Sequence, residues 1–261
     1  MTNNNSTGSI AITLCDRAEN HAGMQIIGTL AERGYTLEEL TDCKARFETE
    51  KIKCELINLN DYAPEECKTE LAHVLVIRNG INHLLKDIKK TANDMFKELT
   101  SLEWDTKALM YGRVVNKGAR YNICLADKPQ KADYAKGKGT IVEFKKVDCT
   151  NHIREKISEY LNNADNLVGE GNYYYDKVCG IGWHGDAERR KVIGLKIGDV
   201  PELLYHWYLN GKPIGKTCKI KLNHGDIYVM SDKAVGFDWK KRSFPTLRHS
   251  TGGKKYTTIG K

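Results

Sequence analysis

The chain has 261 residues, 40% hydrophobic and 29% charged, which suits one large or two small folded domains and argues against wholesale disorder. Its net charge of +7 is compatible with a polyanionic partner, though ordinary enzymes carry as much. No run approaches ~18 apolar residues and residues 1–8 lack the segments of a signal peptide, so neither a membrane span nor secretion is expected.

Residues 1–8 are rich in Asn, Ser and Thr and read as a flexible N-terminus. Residues 10–15 read as a buried strand, and 24–32 as a helix ended by Gly34. Thr36-Leu37-Glu38-Glu39 is a capping box that should start a second helix. Runs 54–59 and 73–77 are strand-like, Asn79-Gly80 is a break, and 81–102 has the pattern of one long amphipathic helix. The alternation predicts a small α/β domain over 9–102. Neither G-x-G-x-x-G nor a Walker A follows its first strand, so a phosphate cradle is not expected. Glu19-Asn20-His21 is either a turn and cap or a ligand cluster at a strand's end.

The character then changes. Residues 107–125 alternate, 140–147 read as a strand, and 152–163 as a helix. From 166 onward strand follows strand, with turn signals at Gly180, Gly211, Gly225 and Gly252, a barrel or sandwich pattern. The eight cysteines include no C-x-x-C, which removes zinc-knuckle and thioredoxin readings. Without a secretory signal they are expected as reduced thiols in an intracellular compartment, cytoplasmic or nuclear.

Trp183-His184-Gly185-Asp186 lies in the β-rich half. A His and an Asp two apart on a strand edge point to one side. An imidazole, a carboxylate and a second, distant imidazole make a facial triad for non-haem Fe(II), and His249 supplies the distant one. A rival H-x-D, His224-Gly225-Asp226, stands too close to His249 for the chain to pass around a barrel. It reads as a turn, with His224 exposed. His206 reads as a strand histidine among aromatics, and His21, His73, His83 and His152 have no ligand-like partner.

These residues, with Gly171-Asn172-Tyr173-Tyr174 upstream, resemble the AlkB-like Fe(II)/2-oxoglutarate dioxygenases, whose pattern is N-x-Y, a short gap, then H-x-D. The tail Lys255-Tyr256-Thr257-Thr258-Ile259-Gly260-Lys261 is similar to that family's closing R-x-N-x-x-x-R strand with lysines for arginines. Met110-Tyr111-Gly112-Arg113 and Ala119-Arg120-Tyr121 resemble its substrate-lid strands. The resemblance covers roughly residues 103–261. It implies an α+β chain whose C-terminal core is a double-stranded β-helix (jelly-roll), preceded by the small α/β domain.

On this resemblance His184, Asp186 and His249 would hold Fe(II). Asn172 and Tyr174 would contact 2-oxoglutarate, and Lys255 and Lys261 would bind its carboxylates. Tyr111, Arg113 and Tyr121 would stack or clamp the substrate, and Glu188 would approach the target base. The implied reaction consumes O2 and 2-oxoglutarate, gives succinate and CO2, and hydroxylates or oxidatively demethylates a base in DNA or RNA, single-stranded or flipped. Basic residues 240–242 could hold phosphates. Two alternatives stay open: the same chemistry on a protein, lipid or small molecule, and an inactive binding module.

Overall fold

Between positions 9 and 15 the chain alternates Ile10, Ile12 and Leu14 with the small residues Ser9, Ala11, Thr13 and Cys15. Period-2 alternation makes a strand with two different faces. In the computed structural model, which describes residues 8–67, 69–199 and 201–259, this stretch is β1 (Ser9–Cys15), buried along its whole length.

The first half continues with β2 (Arg17–Glu19), β3 (Ile26–Gly28), α1 (Leu37–Thr49), β4 (Cys54–Asn58), β5 (His73–Ile77), α2 (Gly80–Leu84) and α3 (Ala92–Thr100). Then come β6 (Lys107–Met110), β7 (Arg113–Asn116), β8 (Tyr121–Ala126), β9 (Ile141–Glu143) and α4 (Asp148–Lys156). The last part holds β10 (Val168–Tyr174), β11 (Gly180–His184), β12 (Val192–Gly198), β13 (Leu203–Leu209), β14 (Lys212–Ile220), β15 (Ile227–Met230), α5 (Asp232–Val235), β16 (Thr246–Gly252) and α6 (Lys254–Thr257).

One sheet has eight strands in the order β4-β5-β15-β12-β1-β10-β8-β9, and a second has four, β11-β16-β13-β14. The first is antiparallel except for β8–β9. Its helix-side core joins Ile10, Ile12, Leu14, Ile193, Leu195 and Ile197 to Phe47, Leu84, Met95, Leu99 and Ile153. Its other face packs Val74, Val76, Tyr228 and Met230 against Tyr205, Trp207, Cys218 and Leu247 of the smaller sheet. The result is a mixed α+β architecture of helices, large sheet and small sheet.

The expected division at residue 102 does not separate two domains. β1, β4 and β5 belong to the same sheet as β10, β12 and β15. A strand apolar on one face and small on the other, buried on both, cannot be satisfied by local helices alone. It pairs instead with β10 (Ala11↔Asn172) and β12 (Ala11↔Lys196).

The capping box is present: Thr36 accepts from the Glu39 amide, and the Glu39 carboxylate accepts from the Thr36 amide. The expected helix over 24–32 is absent; Ile26–Gly28 pairs with β2, because ladder pairing outweighs weak local helix propensity. The expected long helix over 81–102 is two helices, since Thr91 and Asp94 form a second capping box that starts α3 afresh. The strand expected over 140–147 shortens to β9 and a 3-10 turn, and the helix expected over 152–163 begins earlier, as α4. The tail, expected as a closing strand, turns into the short helix α6. The expected flexible segment 1–8 lies, apart from Gly8, outside the described residues. All eight cysteines are free thiols. No helix among the described residues is long and apolar enough to cross a membrane.

β1 sits at the centre of the large sheet, so truncating it should be costly. Ile12→Ala is expected to lose about 2–5 kcal/mol by urea unfolding. An unchanged midpoint would mean that β1 is not an integral strand.

Candidate metal centre

β11 and β16 are neighbours in the small sheet, and their register sets His184 opposite His249. The two rings lie 4.4 Å apart between centroids. Just past the end of β11, Asp186 is held by its amide, which donates to the Val235 carbonyl at 3.0 Å. The residue between His184 and Asp186 has to be glycine, because a Cβ at Gly185 would stand 2.2 Å from the Gly236 carbonyl oxygen and 2.7 Å from Trp239. The Asp186 Oδ1 atom is 3.5 Å from His184 Nε2 and 3.6 Å from His249 Nε2. One ligand atom from each of the three side chains falls within 4.8 Å of the others.

The protonation states suit a cation. His184 Nδ1 lies 2.7 Å from the Gly182 carbonyl, so it carries the proton and leaves the Nε2 lone pair free. Burial, with the nearby His249, pushes the His184 pKa down to about 3, so its ring is neutral. Burial alone would raise the Asp186 pKa, but Arg189 and the histidines outweigh it and hold the carboxyl well below the usual range. Two imidazoles and one carboxylate fit a divalent transition metal and leave coordination positions unfilled.

A buried charge network braces the site. The Arg189 guanidinium is 3% exposed and bonds Glu170 and Glu188, and its Nε stands 3.7 Å from Asp186. Glu188 is pushed up to about 7, first by burial and then by the charge of Asp186, with Arg189 opposing. The Asn172 Oδ1 accepts from Arg120 Nε at 2.5 Å and Asn122 Nδ2 at 2.8 Å, while its Nδ2 donates to Glu170.

Over 252 residues the chain is 44% identical to "Uncharacterized protein R156" of Acanthamoeba polyphaga mimivirus, an alignment spanning 95% of this chain and 97% of that protein. The chain belongs to the family of that viral protein. No family model matches the sequence.

In this member of the family, the expected site residues divide. His184, Asp186, His249, Asn172 and Tyr174 line one cavity between the sheets. Glu188 lines the outer cleft beside it, about 440 Å³, with Arg17, His21, Arg120, Trp239 and Lys240. Glu19, Asn20 and His21 also line that cleft, although Asn20 is tied to Asp105 and Lys117. Tyr111 is fully exposed at the β6–β7 turn and borders a neighbouring cleft that shares the wall of His21, Ala22 and Gly23.

Four assignments are corrected or fall outside. Tyr121 is on the helix side of β8, stacked on Tyr175 at 4.2 Å, because strand alternation sends Asn122 to the site face instead. Arg113 is exposed on β7 and lines none of these clefts. Lys255 is exposed on α6, away from the cavity, because the tail is not a strand. Lys261 lies outside the described residues. The rival His224 is half-buried rather than exposed, its Nδ1 accepting from the Gly198 amide at 2.9 Å. Asp226 serves its own turn and Arg78.

Sequence reasoning missed Lys196. It is a lone charge in the apolar strand β12, 2% exposed, lining the cavity of the triad. Its Nζ lies 5.8 Å from the ring centroids of both Tyr174 and Tyr228 and has no hydrogen bond or ion pair among the described residues. Space for Tyr228 comes from Gly194, where a Cβ would stand 2.0 Å from that ring. Burial lowers the Lys196 pKa from 10.5 to about 8.

Two outcomes check this geometry. Ala at His184, Asp186 or His249 should abolish metal retention after dialysis, measured by plasma emission, while His224→Ala should retain it; the reverse pattern would refute the triad. Lys196 binds protons less well folded than unfolded, so its stability cost is full below pH about 8 and is relieved as pH rises toward 10.5. Lys196→Met should therefore be more stable than wild type at pH 7, with a smaller gain at pH 10. Equal urea midpoints at both pH values would show that the lysine is not strained by burial.

Proposed function

We propose that the protein is an Fe(II)- and 2-oxoglutarate-dependent dioxygenase of AlkB-like type that hydroxylates or demethylates a nucleic-acid base. The observation that carries this reading is the meeting of His184, Asp186 and His249 in one polar cavity. We read the two facing sheets as a double-stranded β-helix. The antiparallel orders β10-β1-β12-β15 and β11-β16-β13-β14 support this, with β1 as the closing strand in place of the tail.

Bound Fe(II), with 2-oxoglutarate and O2, would supply oxidative decarboxylation coupled to hydroxylation of a C–H bond; hydroxylation of an N-methyl group releases formaldehyde. The chain's part is positioning. His184 is aimed by Gly182, and Asp186 is kept ionised by Arg189. Arg189 also bridges Glu170 and Glu188 and offsets part of the repulsion between them.

Arg17, Arg120 and Lys240 put cations along the outer cleft for phosphates, and the Trp239 ring suits a base removed from its stack. Glu188 could accept a hydrogen bond from a base edge. A second reading, the same chemistry on a protein or small molecule, draws on Glu19 and Glu188 in that cleft, whose charges disfavour phosphates.

The test is succinate formation from 2-oxoglutarate with Fe(II), ascorbate and O2, using His184→Ala as the blank. The panel is methylated single- and double-stranded DNA and RNA. Stimulation by one nucleic acid is expected. Turnover that no nucleic acid stimulates would favour the second reading. A folded protein that retains no iron and makes no succinate would overturn the dioxygenase reading.

A further inference from the structure

The cavity of the triad holds donors that no protein acceptor serves. Lys196 reaches in from β12, Tyr174 from β10 and Tyr228 from β15. They are 2%, 6% and 5% exposed, and neither phenol hydroxyl has a hydrogen bond among the described residues. Glu170, the carboxylate in this cavity besides Asp186, is already taken by Arg189, Asn172 and the Glu19 amide. A buried ammonium without a counter-ion is costly, so a fold that keeps one has an anion to receive.

We propose that Lys196, flanked by Tyr174 and Tyr228, is an anion subsite that takes the far carboxylate of a short 2-keto dicarboxylate whose keto-acid end reaches the His184–Asp186–His249 triad. This rests on the dioxygenase reading and moves the anchor from the tail lysines to β12, a strand of the eight-stranded sheet. Ile181, Leu203 and Met230 line the same cavity and suit the aliphatic middle of such a ligand. β1 leaves the room: Ala11, directly opposite Lys196, is too small to fill the space beside it. Tyr174 and Tyr228 are raised in pKa by burial and stay neutral donors, so Lys196 is the cation of the subsite.

The experiment is calorimetric titration of the Fe(II)-loaded protein without oxygen, using 2-oxoglutarate and 2-oxopentanoate, which has a methyl in place of the far carboxylate. Wild type should prefer 2-oxoglutarate by on the order of 100-fold. Lys196→Met should lose most of that preference, Lys196→Arg should keep part of it, and Lys255→Ala should keep all of it. Metal content of each sample shows whether the site is intact. If Lys196→Met does not hold metal, the wild-type pH profile decides. Affinity for 2-oxoglutarate, and not for 2-oxopentanoate, should then fall about tenfold per unit above pH about 8. A preference that survives in Lys196→Met, or a flat profile, overturns the Lys196 subsite and leaves the dioxygenase reading standing. Wild type that binds neither keto acid overturns both.

Discussion

The two-faced character of three adjacent strands is the constraint on which the rest depends. β10, β1 and β12 each turn alternate residues to opposite sides. Ile10, Ile12, Leu14, Ile193, Leu195 and Ile197 face the helices, where they are fully buried. Ala11, Thr13, Glu170, Asn172, Tyr174 and Lys196 face the small sheet and line the cavity. Burial of the first set holds the second in place. Polar groups that would be costly in an ordinary core are tolerated because apolar packing on the reverse face stabilises the same strands.

The charges in that cavity follow two different rules. On the triad's side, Arg189 is shared by Glu170, Glu188 and Asp186, so each of these carboxylates has a cation beside it. On the other side Lys196 lies between two tyrosine rings without an acid partner. The shared guanidinium keeps Asp186 ionised, whereas the missing partner leaves Lys196 with an attraction to be satisfied from outside. Stability and binding pull against each other at Lys196, a pattern expected of functional sites.

The outer cleft shows how loops and strands share the work. His184 and Asp186 come from the end of an edge strand, while Arg17, His21 and Lys240 come from segments far apart in sequence. The sheets fix the positions of His184 and His249, and the surrounding segments shape the cleft in front of them.

Local chemistry made several features legible from the sequence alone. The Thr36 capping box, the strands at Cys54–Asn58 and His73–Ile77, and the convergence of His184, Asp186 and His249 depend on neighbours in sequence or on a motif with a chemical reason. Asn172 and Tyr174 were singled out by their likeness to an N-x-Y pattern, and both line the cavity of the triad. Long-range pairing decided the rest. Strand periodicity states that residues 9–15 are buried on both faces but not which strands cover them, and only the tertiary structure sets β1 between β10 and β12. That choice removes the division into two domains. It also turns the solitary lysine of an apolar strand, Lys196, toward the cavity of the triad. Side-chain direction along a strand is fixed by register, and register is a property of the partner strand as much as of the strand itself.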